Sequence, residues 1–118
     1  MKNEEIRINN FVQNNGMYYR VTPNIFMYIQ SCNTRYEPVP LSKKILDSAN
    51  IEIEDFTSNK GFLYVQATSY SFGSFYEVYW KGTQIATVRY LHQLQNIFYD
   101  LTGKEITFKT KNGNPPKP

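Results

Sequence analysis

The segment from Tyr90 to Phe108, YLHQLQNIFYDLTGKEITF, limits most narrowly what this chain can fold into, because it holds a complete helix, a glycine stop and an exit strand. Leu91, Leu94, Phe98 and Leu101 recur at the three-and-four spacing of one helical face. Gly103 follows where a left-handed C-terminal cap needs a residue without Cβ. The pattern predicts a helix over 89–101 with Leu94 and Phe98 in a core, then a last strand over 105–108. His92, Gln95, Asn96 and Tyr99 form a polar stripe that falls opposite or beside the leucine face.

The rest of the chain reads mostly as strand. Aromatic residues make up 16%, with ten Tyr and eight Phe, which favours pleated structure. Residues 6–12, IRINNFV, and 16–22 flank Asn14-Asn15-Gly16, a turn able to take positive φ, so an N-terminal hairpin is expected. Pro23-Asn24 breaks the second strand, and IFMYIQ at 25–30 reads as a third, buried on both faces. Glu37-Pro38-Val39-Pro40 is stiff and leads to Ser42, the expected cap of a short helix through Ala49 with Leu41, Ile45 and Leu46 buried. Strands follow at 62–68, 75–80 and 84–88, separated by the SFGS turn and by Lys81-Gly82.

The predicted class is therefore α+β: an antiparallel sheet of about five to seven strands with two helices packed on one face. From the third strand onward the order is also compatible with a ferredoxin-like split unit. At 118 residues one core is expected, over 1–108, with 109–118 as a flexible, basic, Pro-containing tail.

Thirteen Lys and Arg against ten Asp and Glu give a charge of +3, which permits contact with nucleic acid or an acidic protein and demands neither. One His and one Cys are too few for a structural zinc site, and Gly61, Gly73, Gly82 and Gly103 are isolated rather than grouped in a phosphate loop. No cofactor, catalytic group or small-molecule substrate is expected. Cys32 is alone, the first ten residues lack the features of a secretory signal, and no run of about 18 apolar residues occurs, so a cytoplasmic protein without membrane contact is expected.

Two kinds of binding residue stand out. Tyr76, Tyr79 and Trp80, with Tyr64 and Tyr70, offer rigid apolar area and a polar handle, the chemistry of protein-interface anchors. Glu52, Glu54 and Asp55, near Asp47, form a local acidic patch suited to a basic partner. KGFLYVQA at 60–67 overlaps an RNA-recognition signature, although Leu63 stands where that signature has Gly or Ala and Ala67 where it has an aromatic residue. Lys60, Phe62 and Tyr64 are thus the candidates for stacking single-stranded nucleic acid.

YLHQLQNIFYDLTGKEI resembles the ending of a family of small proteins from phages and prophages, which carry a similar His-Gln-Leu-Gln-Asn, aromatic, Leu-Thr-Gly pattern. EPVPLSKKIL, Glu37 to Leu46, is similar to that family's proline-flanked entry into its first helix. The resemblance implies an accessory protein of a mobile element, acting in the host bacterial cytoplasm as an anti-defence inhibitor. Its most concrete form is an anti-CRISPR protein that binds an RNA-guided nuclease, including one that cuts RNA, or its guide-RNA complex. Tyr76, Tyr79 and Trp80 would then form the desolvated centre of the contact, and Glu52, Glu54 and Asp55 would occupy a basic nucleic-acid channel. A single-stranded nucleic-acid-binding module that uses the aromatic strands and basic tail stays open beside it.

Overall fold

The structure, a computed structural model of the full chain, describes residues 6–31, 36–50, 63–67, 75–80 and 82–116. Its class is α+β, with antiparallel pairing between the strands. Among the described residues the strands are spread over small sheets in the orders β2-β1-β3, β4-β8 and β5-β6-β7. The first holds β1 (Phe11–Asn14), β2 (Met17–Arg20) and β3 (Glu37–Pro38). The second joins β4 (Ala49–Asn50) to β8 (Thr107–Phe108), and the third is a meander of β5 (Leu63–Ala67), β6 (Tyr76–Trp80) and β7 (Thr83–Val88). The helices are α1 (Pro23–Gln30), α2 (Lys43–Ser48) and α3 (Leu91–Thr102).

The N-terminal hairpin forms where the turn chemistry placed it. Asn15 and Gly16 take φ of 54° and 77°, the left-handed pair that matches strand twist in a two-residue turn, and Asn14 pairs with Met17. The run at 25–30, in contrast, is the helix α1 and not a buried strand. Thr22 caps it, its Oγ1 accepting from the Ile25 N–H at 3.2 Å, and Pro23 supplies a helical φ at the first position. Ile25, Phe26 and Ile29 turn inward while Met27 stays 69% exposed, so the apolar run is divided by helical geometry rather than buried on two faces. With that strand gone, and with β5, β6 and β7 joined in sequence without a crossover, the described residues do not follow the order of a ferredoxin-like unit.

Strand β1 separates two groups of buried side chains. Phe11 joins the main core of Val39, Leu41, Ile45, Val78, Val88, Leu91, Leu94, Phe98, Ile106 and Phe108, meeting the Phe108 ring edge-on at 5.9 Å. Val12 points the other way, onto Ile6, Val21 and Ile29. This is the period of two of a pleated strand placed between two apolar layers. Ser42 caps α2 as expected, accepting from the Ile45 N–H at 3.2 Å, and its Lys43–Asp47 ion pair spans one turn at 2.9 Å. Chain entry into α3 is pinned by Leu41 N–H to Arg89 O at 3.0 Å and Leu91 N–H to Val39 O at 2.8 Å. The segment expected as a tail is described to Pro116; there Thr110 Oγ1 donates to Asn114 O at 2.7 Å and Gly113 takes φ of 75°.

Candidate binding surfaces

The polar residues of α3 do more than cover its outer face. Leu91, Leu94 and Phe98 are buried as their spacing predicts, but Leu101 is 37% exposed, while His92 and Gln95 are buried at 3% and 1%. The buried sector is thus rotated from the leucine stripe toward the polar one. Gln95 explains why. Its Oε1 accepts from the Phe11 N–H at 2.9 Å and its Nε2 donates to Asn9 O at 3.1 Å, satisfying backbone groups of the N-terminal segment. Beside it Asn10 Nδ2 donates to Asn96 Oδ1 at 2.9 Å, and the Arg7 N–H donates to Asn10 Oδ1 at 2.8 Å. Gln93 caps its own helix, with Oε1 accepting from the Arg89 and Tyr90 N–H groups at 2.8 and 3.0 Å. Gly103, at φ of 73°, closes the other end with its N–H on Tyr99 O at 2.7 Å. Gln95 and Asn96 of the HQLQN pattern are therefore a latch that ties α3 to the segment 9–11.

Arg7 completes the latch from outside, its two terminal nitrogens donating to Asp100 at 2.8 and 3.1 Å. The guanidinium holds the Asp100 carboxyl below its usual range, chiefly through these hydrogen bonds. A depressed carboxylate pKa contributes stability above its unfolded value, and that contribution is lost as pH falls through the folded value. Asp100→Asn is accordingly expected to lower the thermal midpoint modestly at pH 7 in low salt. The difference should shrink below about pH 4 and in high salt, since both partners are largely exposed. Melting curves of both proteins across pH and salt check this.

Above the latch lies a polar cleft of about 180 Å³. Buried Asn10 and Gln95 and half-buried Asn96 line it from within, with Arg7, Ile8, Asn9, Tyr99 and Glu105 completing the lining. The Asn10 and Gln95 carboxamides are committed to the hydrogen bonds already described. Tyr99 is 47% exposed at the edge.

Of the residues singled out from sequence, the described trio Tyr76, Tyr79 and Trp80 does not lie on one face. Tyr76, Val78 and Trp80 alternate along β6, with Val78 fully buried and Tyr76 and Trp80 half-buried against the main core. Tyr79 lies on the other side, its hydroxyl donating to Glu77 Oε1 at 3.0 Å. A contact centred on all three would have to use both faces of the meander, so the expected single anchor surface is divided by the strand period. Tyr64 is in β5, its Cα opposite that of Tyr79. Glu52, Glu54, Asp55, Lys60, Phe62, Tyr70, Cys32 and the SFGS turn lie outside the described residues. Neither a family model, a curated protein nor a solved structure matches the chain. Among the described residues no helix is long and apolar enough to cross a membrane, and no three His, Cys, Asp or Glu are grouped to hold a metal.

A different aromatic group does come together. The Tyr36 ring meets Tyr19 of β2 edge-on at 5.9 Å and Tyr28 of α1 at 6.1 Å. Tyr19 and Tyr28 are each 38% exposed, so the cluster opens to solvent while Tyr36 packs on the smaller core. Its residues come from three separate segments, and only the helical form of 23–30 carries Tyr28 to Tyr36, whereas the sequence predicts a strand there. The Thr22-Pro23 start signal was the clue that pointed to the helix.

Proposed function

We propose that this chain is a non-enzymatic anti-defence inhibitor of the phage type, which binds a bacterial defence protein and, most concretely, an RNA-guided nuclease. The observation that carries the binding role is the surface cluster of Tyr19, Tyr28 and Tyr36. Tyrosine supplies large, rigid contact area with few rotatable bonds, and the edge-on packing holds these rings before a partner arrives, which reduces the ordering cost of association. The phage-type origin draws on the resemblance of the C-terminal helix and the proline-flanked segment. An inhibitor of this kind has to bury about 1,200–2,000 Å² and obstruct guide loading, target entry or a conformational step.

The test uses the full chain and a panel of purified, guide-loaded nucleases that cut DNA or RNA. The expected result is stoichiometric loss of cleavage by at least one of them, with co-elution that survives nuclease treatment and moderate salt. Tyr19→Ala combined with Tyr28→Ala should weaken that binding by about tenfold or more, with the thermal midpoint retained. Two results would replace the proposal: no inhibition across the panel, or tight binding to a single-stranded oligonucleotide that falls steeply with salt, as phosphate contacts require.

A further inference from the structure

The groups around the cleft above the α3 latch differ in how far their bonding is used up. Arg7 and Asp100 neutralise one another, and the carboxamides of Asn10 and Gln95 are tied to each other's surroundings and to the N-terminal backbone. Glu105 is near enough to act on Arg7 through space, yet among the described residues its carboxylate takes no hydrogen bond and no ion pair. The cleft lining therefore holds a carboxylate with no ion pair of its own, together with half-exposed Tyr99 and with Asn9. At about 180 Å³ the cleft is smaller than the ~300–1,000 Å³ of pockets that enclose a whole small-molecule ligand, and it suits a single long side chain.

We propose that this cleft receives one arginine side chain of a partner protein, with the guanidinium stacked on Tyr99 and donating to the Glu105 carboxylate and to Asn9 Oδ1. Arginine fits better than lysine because its planar fork can pair with a carboxylate through two hydrogen bonds while its face lies on an aromatic ring. A nuclease that holds nucleic acid presents such arginines to phosphate, so the partner's chemistry follows from the proposed function and rests on it.

The test needs no nuclease. The ¹⁵N-labelled full chain is titrated with acetyl-Gly-Arg-Gly-amide, and in parallel with peptides carrying lysine or the uncharged isostere citrulline. Saturable shifts of the Asn9, Tyr99 and Glu105 amides are expected with the arginine peptide, weaker ones with lysine and none with citrulline. Glu105→Gln and Tyr99→Ala should each weaken binding by about tenfold while leaving the other amide positions and the thermal midpoint unchanged. Absence of saturable shifts at tens of millimolar peptide, an equal response to citrulline, or full affinity in Glu105→Gln would overturn the arginine pocket. Arginine binding without inhibition of any nuclease overturns only the nuclease reading, and inhibition without arginine binding overturns only the pocket.

Discussion

Leu94→Ala is expected to destabilise the protein by about 2–5 kcal/mol, the range for removing a large apolar side chain from a close-packed site. Leu94 is fully buried in the main core, in the same cluster as Phe11 of β1, Val78 of β6 and Val88 of β7. One deletion there withdraws contacts from the helix and leaves a void that the strands around it can only partly close. Leu101→Ala provides the internal comparison. It belongs to the same sequence stripe but is 37% exposed, so its cost should stay within about 0.5 kcal/mol. Urea unfolding of both variants, read at equal m-values, separates the two. Equal midpoints would mean that the helix is rotated differently from the packing described.

Gln95→Leu is expected to cost about 1–3 kcal/mol although it exchanges a polar for an apolar side chain of similar size in a buried position. The reason is that Gln95 pairs with two backbone groups at once: losing it strands the buried Phe11 N–H, while Asn9 O keeps only the longer bond from Arg20 Nη1 at 3.3 Å. Each buried polar group left unpaired costs about 1–3 kcal/mol. Gln95→Glu sharpens the test through its pH dependence. At neutral pH the new carboxylate still accepts from Phe11 N–H, but it is a charge at a site only 1% exposed and it faces the Asn9 carbonyl. Burial raises such a carboxyl's folded pKa, so the folded state binds more protons than the unfolded chain and stability increases as pH is lowered. Once protonated, the carboxyl can donate to Asn9 O as the amide did. Thermal midpoints of Gln95→Glu should therefore recover part of the loss on acidification, whereas those of Gln95→Leu should not. A Gln95→Leu protein as stable as the parent would rule out the latch.

Why this latch escaped the sequence follows from distance along the chain. Phe11 N–H and Gln95 Oε1 are 84 residues apart, and nothing in the spacing of α3 announces that a backbone donor from β1 will arrive there. Read locally, His92, Gln95 and Asn96 are a polar stripe and belong outside. The same limit applies to the aromatic residues. The period of two along β6 sends neighbouring Tyr79 and Trp80 to opposite sides, a division that the expectation of one anchor centre does not include. That Tyr19, Tyr28 and Tyr36 converge instead depends on how β2, α1 and the approach to β3 pack.

By itself the sequence determined the features that short-range physics controls. Asn15-Gly16 set the hairpin because few other pairs take two successive left-handed residues, Ser42 set the start of α2, and Leu91, Leu94, Phe98 and Gly103 set the inward face and the end of α3. Even at 25–30 the decisive signal was local: the Thr22 cap and Pro23 outweighed a β-prone composition. Tertiary structure alone decided that β1 buries both of its faces, that the buried arc of α3 turns toward Gln95, and that a polar cleft opens between α3 and the N-terminal segment. Those outcomes arise because buried backbone donors and acceptors must find partners wherever packing brings them, and the partners here come from opposite ends of the chain.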